Sequence, residues 1–180
     1  MPEGGNPVLF RPDYYISHYS NLDLDKLKRQ GIKLLLCDID NTLVAWNDPD
    51  NNVKVKRFIG RVKRAGLKVA LVSNAMPKRA SRFARDLGVE KVFCLSCKPL
   101  PRNLKKAMRF YHVKPQETAL LGDQLMTDIL GANLAGVYAI LTHPITESDK
   151  FDTRINRFFE NRILDHYEKK GAFKRRKFDD

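Results

Sequence analysis

The sequence lacks any long hydrophobic run. Its longest apolar stretches are only a few residues, whereas a membrane-spanning helix needs about 20. It also shows no secretory leader. We therefore expect any contact with a membrane to be made at the surface of the protein.

Cysteine is scarce, and the three residues present, Cys37, Cys94 and Cys97, make an odd number. This count does not indicate a disulfide framework, and it favours a reducing, cytoplasmic setting. A zinc site needs four ligands, and the C-x-x-C at 94–97 has no second pair. Cys94 alternates within a predicted strand, which favours a core position, while a metal or redox role for the pair stays open.

Linkers rich in glycine, serine or proline are missing, and no internal repeat is visible. A chain of 180 residues without such breaks favours one domain with room for a core. We divide it into an N-terminal arm at 1–22, a domain at 23–168 and a basic, flexible tail at 169–180.

Acidic residues are fewer than basic ones, so the formal net charge is +12 and the pI is about 9.7. Such a balance favours an anionic partner: nucleic acid, an acidic membrane surface or a phosphorylated substrate. The stretch "KKGAFKRRKF" (169–178) holds six basic residues with Phe173 and Phe178 between them. It suits an anionic bilayer or RNA, and a flexible solubilising end is the third interpretation.

Apolar runs alternate with segments of helical periodicity along the domain. The runs predict five strands, at 32–38, 67–73, 91–95, 118–123 and 136–142. Helical spacing and capping residues predict helices at 24–28, 53–66, 77–87, 100–111, 125–134 and 151–168. The alternation predicts an α/β fold, a Rossmann-like three-layer sandwich around a central parallel five-stranded sheet.

Polar residues follow four of these strands, where ligands bind in a parallel sheet. In chain order they are Asp38 and Asp40, then Ser73 and Asn74, then Lys98, then Asp123, with Asp128 in the next helix. The carboxyl ends of parallel strands share one edge, so we expect these side chains to converge.

Three carboxylates, a hydroxyl and an ammonium at one rim suit phosphoryl transfer. A hard cation, Mg²⁺, would neutralise the acids. Asp38 would attack phosphorus, giving an aspartyl phosphate, and Asp40 would protonate the leaving alcohol and then activate water. Ser73 and Lys98 would hold the remaining phosphate oxygens.

Several residues keep two interpretations. Thr42 and Asn74 are candidates for phosphate binding, and both also suit bracing of the loops, as does Asn41. Asp128 suits a metal site or a helix cap. His143 follows the fifth strand and is the histidine placed closest to the predicted rim.

These motifs resemble those of the haloacid-dehalogenase-like (HAD) phosphatases. "DIDNT" (38–42) resembles their first motif, Ser73 the second, Lys98 the third and "GDQLMTD" (122–128) the fourth, in the expected order. The resemblance implies Asp38 as nucleophile and Asp40 as general acid and base. It implies Mg²⁺ held by the Asp38 carboxylate, the Asp40 carbonyl and Asp123, with Asp128 farther from the metal.

The sequence is also similar to the YqeG-like family, within HAD subclass IIIA, which includes mitochondrial phosphatidylglycerophosphate phosphatases. The similarity runs from about Pro12 to about Leu164 and rests on "DIDNTLVAW", "SNA", "CKPLP", "GDQLMTDILGAN" and "THPI". It implies phosphatidylglycerophosphate as the substrate and a peripheral position on a membrane.

Two other acid-rich sites fit less well. An EF-hand loop counted from Asp38 would need glycine and glutamate where Leu43 and Pro49 stand. A receiver domain would not need the proton shuttle of Asp40.

The spacing of the motifs leaves no room for a cap domain. The segment from Asp40 to Ser73 has space for a short loop and one helix, and the segment from Ser73 to Lys98 has space for one helix and one strand. We therefore expect an open rim, unless another subunit or the arms at 1–22 and 143–150 cover it. An open rim suits a bulky substrate.

Three hypotheses follow from this pattern. The first is a phosphatase acting on phosphatidylglycerophosphate. The second is a phosphatase acting on a nucleic-acid end, a phosphoprotein or a small metabolite. The third is a non-enzymatic module that binds RNA or anionic lipid.

Overall fold

The computed structural model describes residues 9–45, 53–146, 165 and 177–180. Within them the chain forms one parallel sheet with helices on both faces. The predicted helix at 151–168, apart from Asp165, and residues 169–176 of the predicted tail lie outside the described residues.

The sheet has six strands in the order β1-β6-β5-β2-β3-β4, and every pair is parallel. Their bounds are β1 Tyr14–Ile16, β2 Leu34–Cys37, β3 Lys68–Val72, β4 Val92–Phe93, β5 Thr118–Gly122 and β6 Tyr138–Thr142. The strand that precedes the paired aspartates, β2, lies inside the sheet between β5 and β3. Its carboxyl end is therefore flanked by the polar residues that follow its two neighbours.

The helices begin and end close to the predicted positions. They are α1 Leu24–Arg29, α2 Val53–Arg64, α3 Pro77–Asp86, α4 Arg102–Tyr111 and α5 Leu130–Ala135, with a π-helical turn at Leu125–Ile129 before α5. Asp23 caps α1, because its carboxylate accepts from the Lys26 N–H at 2.9 Å. Pro77 begins α3, where the missing N–H of proline costs nothing.

Alternate residues of β2 face different layers. Leu35 and Cys37 pack with α2 and α3, while Leu34 and Leu36 pack with α4 and α5. All four are buried, as expected for an apolar run covered on both faces. The predicted three-layer sandwich is confirmed.

The sheet has one strand more than the five predicted. The additional strand, β1, comes from the predicted N-terminal arm and pairs with β6 at the sheet edge. Three residues are too few to show a strand pattern in the sequence, so pairing with β6 defines this strand.

No cap domain interrupts the sheet. Between Asp40 and Ser73 the described residues form α2 and β3, and between Ser73 and Lys98 they form α3 and β4. Residues 46–52, which are not described, are too few for a cap. Among the described residues, the rim above β2 is therefore bordered by loops and helix ends of the core fold.

Candidate active site

The loop after β2 places Asp38 at the sheet edge. The Asp38 N–H donates to the Leu121 carbonyl at 2.9 Å, which extends the pairing with β5 by one residue. The chain then turns tightly, with Asn41 in the left-handed region at φ 61° and its N–H bonded to the Val44 carbonyl at 2.8 Å. Asparagine tolerates this conformation better than most residues. Extended pairing and a tight turn together fix the direction of the Asp38 side chain.

Thr42 lies beneath the carboxylates and is fully buried. Its hydroxyl is 3.0 Å from Asp123 Oδ1 and 3.4 Å from Asp38 Oδ2, so it can donate to either acid. The hydroxyl thereby links the ends of β2 and β5. Thr42 was predicted as a phosphate-binding candidate, and the structure places it against the acids.

Asp128 reaches the site because Gly122 leaves room for it. A Cβ at position 122 would overlap the Asp128 side chain. The Asp128 Oδ2 accepts from the Gln124 N–H at 3.2 Å, and the side chain is almost completely buried. The glycine that begins "GDQLMTD" is therefore explained by its close packing against the aspartate that ends this motif.

Lys98 lies between two of the acids. Its Nζ is 2.5 Å from Asp38 Oδ1 and 2.5 Å from Asp128 Oδ1, and only 5% of the side chain is exposed. Charged groups buried this deeply need partners. Lys98 and the two aspartates supply them to one another.

The electrostatics of the cluster keep Lys98 positively charged and favour an additional cation near the acids. Burial raises the pKa of Asp38 to about 7, with Lys98 opposing the rise and Asp128 adding to it. Burial, Asp128 and Asp38 together raise the pKa of Asp123 well above its usual range. Burial alone would lower the pKa of Lys98, but Asp128 and Asp38 hold it above its ordinary value. The lysine therefore stays charged, while the acids lack full compensation.

The acid cluster fits a divalent cation. Asp38, Asp123 and Asp128 each offer a carboxylate oxygen, and these oxygens lie within 4.8 Å of one another. Asp123 Oδ2 is buried without a hydrogen-bond partner among the described residues. When all three carboxylates are deprotonated, they exceed the one ammonium by two negative charges, which a divalent cation would balance. All the ligands are oxygens, the kind that Mg²⁺ prefers.

Ser73 and Asn74 follow β3, which pairs with β2. The Ser73 hydroxyl accepts from the Ala75 N–H at 3.0 Å, leaving its proton available to donate. The Asn74 Oδ1 accepts from the Lys98 N–H at 3.0 Å. Asn74 therefore braces the loop that carries Lys98, one of the two roles that the sequence left open.

Asn41 and His143 also brace loops. The Asn41 carbonyl and side-chain oxygen accept from Ile145 and Thr146, each at 2.9 Å. His143 donates its backbone N–H to Ile16 at 3.1 Å. Its ring lies 6.2 Å from that of Phe178.

Asp40 has a partner that sequence reasoning missed. Arg79 Nη2 is 2.6 Å from Asp40 Oδ1, and both side chains are about one-third exposed. Arg79 lies in the first turn of α3. The helix α3 starts at the same rim as the predicted site residues. A basic residue in its first turn could therefore have been predicted to contact one of the site's carboxylates.

The fold and the site together define a hydrolase of the haloacid dehalogenase-like class. The family model described as haloacid dehalogenase-like hydrolase matches residues 51–136. The probable phosphatase YqeG of Bacillus subtilis is 35% identical over 162 residues, covering 90% of this chain and 94% of that protein. The chain therefore belongs to the YqeG-like branch of this family, and it is a phosphatase.

Further similarities are more distant. The chloroplastic and mitochondrial phosphatidylglycerophosphate phosphatase 1 of Arabidopsis thaliana is 25% identical over 170 residues, which are 89% of this chain and 49% of that protein. A subfamily III A hydrolase structure from Legionella pneumophila superposes with a TM-score of 0.51 at 20% identity, covering 69% of this chain and 71% of that one. The structural likeness supports the fold alone.

Proposed function

We propose that this phosphatase is a Mg²⁺-dependent phosphomonoesterase that works through an aspartyl phosphate, with phosphatidylglycerophosphate as its substrate. The observation that carries the catalytic part is the contact of Lys98 with Asp38 at the end of β2. This contact opposes the effect of burial on the carboxyl pKa, so it favours the deprotonated form that a nucleophile needs.

The reaction divides between Asp38 and Asp40. A carboxylate oxygen of Asp38 forms a bond to phosphorus while the bond from phosphorus to the alcohol oxygen breaks, and Asp40 gives its proton to that oxygen. Water then attacks phosphorus, Asp40 takes the proton, and the Asp38–phosphate bond breaks to release phosphate. Asp40 is suited to this exchange because its carboxylate is partly exposed beside the buried acids.

Lys98 and Ser73 have the donors to hold the remaining phosphate oxygens. Mg²⁺ bound by Asp38, Asp123, Asp128 and the Asp40 carbonyl would supply the charge that neutralises both the acids and the phosphate. Lys98 already contacts Asp38 and Asp128, so the phosphate would lie next to an ammonium whose position is fixed.

The lipid substrate is supported by the similarity to the Arabidopsis phosphatase named for it. The net charge of +12 suits an anionic membrane surface, and the described residues include no cap that would keep a headgroup from the rim. No helix among the described residues is long and apolar enough to cross a bilayer. We also propose that the protein works in the cytoplasm and binds peripherally to the membrane that carries its substrate, a location that the positive net charge and the proposed lipid substrate support.

The test is phosphate release from phosphatidylglycerophosphate in mixed micelles with Mg²⁺. Wild-type protein should release phosphate, and Asp38→Asn should not. Addition of EDTA should stop release, and Mg²⁺ in excess should restore it. Undiminished release by Asp38→Asn would refute the nucleophile, and no release by wild type would refute the substrate.

A second candidate is a soluble phosphomonoester. The phosphoserine phosphatase of Thermus thermophilus is 32% identical over 95 residues, which are 48% of this chain and 38% of that protein. A panel of phosphoserine, phosphopeptide, nucleotide and 5′-phosphorylated RNA decides between the candidates. A kcat/KM higher for any of these than for the lipid would favour the second. Because the similarity to the phosphatase YqeG extends over most of the chain, the non-enzymatic hypothesis gives way to these two.

A further inference from the structure

A cavity of about 340 Å³ opens beside Asp40 along one side of α3. Its apolar part is formed by buried residues that include Ile39, Ala80 and Phe83. Basic side chains border it, namely Lys78, Arg79 and Arg82, and Asp86 lies among the lining residues as the single acid. The cavity therefore combines an apolar floor with a predominantly positive border.

The cavity lies close to the residues that are proposed to act on the substrate. Ile39 separates the proposed nucleophile from the proposed general acid, and it lines the cavity. Arg79 lines it too while holding Asp40 at 2.6 Å. Asp40 would have to reach the oxygen that leaves phosphorus, so the alcohol bonded to that oxygen would lie near Asp40 and therefore near this cavity.

The charges on α3 are available to a ligand. Lys78 and Arg82 are both exposed and stand four residues apart, hence on one face of the helix. Neither has a carboxylate of the described residues within 4.0 Å, whereas Arg79 is paired with Asp40. An anion in the cavity would meet two cations that have no competing partner in the described part of the chain.

We propose that this cavity is the subsite for the alcohol half of the substrate. It selects phosphomonoesters whose alcohol carries a second anionic phosphate group, with Lys78 and Arg82 contacting that group and the apolar floor contacting the carbon chain beside it. The inference rests on the proposed phosphatase activity and adds to it a physical basis for substrate choice.

The test compares two soluble substrates that differ in the second charge. Glycerophosphoglycerophosphate, the deacylated headgroup, carries a phosphodiester next to the reacting phosphate, and glycerol 3-phosphate does not. In the double variant K78Q/R82Q, the ratio of kcat/KM for the first substrate to that for the second should fall by about tenfold or more, mainly through KM. Arg85→Gln is the matched control, because Arg85 is exposed on the same helix but does not line the cavity.

A third arm uses the intact lipid in mixed micelles. An equal loss for the lipid and the deacylated headgroup supports a subsite for the phosphodiester. A loss confined to the lipid overturns the proposal, because contact of the two cations with the micelle surface would then explain it. Inhibition by the product glycerophosphoglycerol should also weaken in the double variant, and inhibition that stays at the wild-type level counts against the subsite.

The outcomes separate the two proposals. An unchanged ratio, in a wild-type protein that hydrolyses both substrates, overturns the subsite and leaves the phosphatase mechanism standing. No hydrolysis of any substrate by wild type overturns the phosphatase proposal and the subsite with it. If the double variant fails to fold by circular dichroism, K78Q and R82Q are measured singly against the same criterion.

Discussion

Lys98 balances only part of the negative charge that surrounds it. It contacts Asp38 and Asp128, each at 2.5 Å, while Asp123 keeps one oxygen without a partner among the described residues. Removing one member of a buried ion pair is more costly than removing the whole pair, because the remaining charge is left without compensation. This residue therefore affects both stability and catalysis.

We expect Lys98→Met to abolish phosphatase activity and to lower the free energy of unfolding by about 3–5 kcal/mol. Urea denaturation measures the stability. Adding Asp128→Asn to this variant should restore part of the stability and none of the activity, because it removes one uncompensated carboxylate. A Lys98→Met protein as stable as wild type would contradict the ion pairing.

Asp38 makes stability depend on pH when no metal is present. Its pKa rises from 3.8 to about 7 on folding, so the folded state holds the proton more tightly than the unfolded chain does. The stability contributed by this group is therefore present at low pH and is lost as the pH rises from about 4 to about 7.

Asp38→Asn removes this loss, because asparagine does not titrate. In metal-free buffer we expect the stability of the variant, relative to wild type, to increase across the pH interval from about 4 to about 7. Urea denaturation at several pH values measures the difference. Mg²⁺ at pH 7 should stabilise wild type more than the variant, since the variant lacks one ligand carboxylate. A stability difference that is constant with pH would contradict the raised pKa.

At the scale of elements, β1 is a short strand on the sheet edge that C-terminal residues cover. The Asp179 N–H donates to the Tyr15 carbonyl at 2.7 Å, and the Tyr15 N–H donates to Asp179 Oδ2 at 2.9 Å. The Ser17 N–H donates to Asp180 Oδ1 at 3.0 Å, and the rings of Tyr15 and Phe178 are 4.8 Å apart. The last residues thus satisfy donors that an edge strand would otherwise present to solvent.

Deletion of residues 178–180 should speed hydrogen exchange at the Tyr15 and Ser17 amides by about tenfold or more, because both lose their acceptors. Exchange followed by NMR measures the effect. The control is Lys177→Gln, since Lys177 is exposed and immediately precedes the contact. Equal exchange in the deletion variant and wild type would show that the contact does not protect β1.

The whole molecule carries far more positive than negative charge, with 33 lysines and arginines against 21 acids. Three of the acids, Asp38, Asp123 and Asp128, are buried in the candidate metal site. The basic residues of α2, α3 and α4 are mostly exposed. The surface is therefore suited to an anionic partner, and the anionic membrane proposed above is one that can be tested.

Binding to vesicles that contain phosphatidylglycerol should weaken strongly when salt rises from about 50 to about 300 mM, because screening shortens the range of the attraction. Vesicles of phosphatidylcholine should bind little at either concentration. Replacing Lys174, Arg175, Arg176 and Lys177 with glutamine should reduce binding by at least about tenfold while keeping Phe178–Asp180 on β1. Cosedimentation measures all three effects, and binding that does not depend on salt would contradict an electrostatic contact.

The sequence by itself determined most of the described elements and most members of the candidate site. An apolar run such as "LLLC" is covered on both faces, so it predicts a buried parallel strand, and a polar residue after such a strand must appear at the sheet edge. This reasoning located Asp38, Asp123, Asp128 and Lys98, and the structure brings their side chains into contact or close proximity. The local sequence pattern was sufficient to locate these residues, because the carboxyl ends of parallel strands lie at a common rim.

Only the tertiary structure decided which partner each of these groups has. The ion pair of Arg79 with Asp40 joins residues of different elements, and β1 is a strand because β6 and the last residues pair with it. The cavity beside Asp40 likewise exists only once α3 packs beside the loop after β2. Each feature depends on contacts between residues that are distant in sequence, and such contacts leave no periodic signal in the chain.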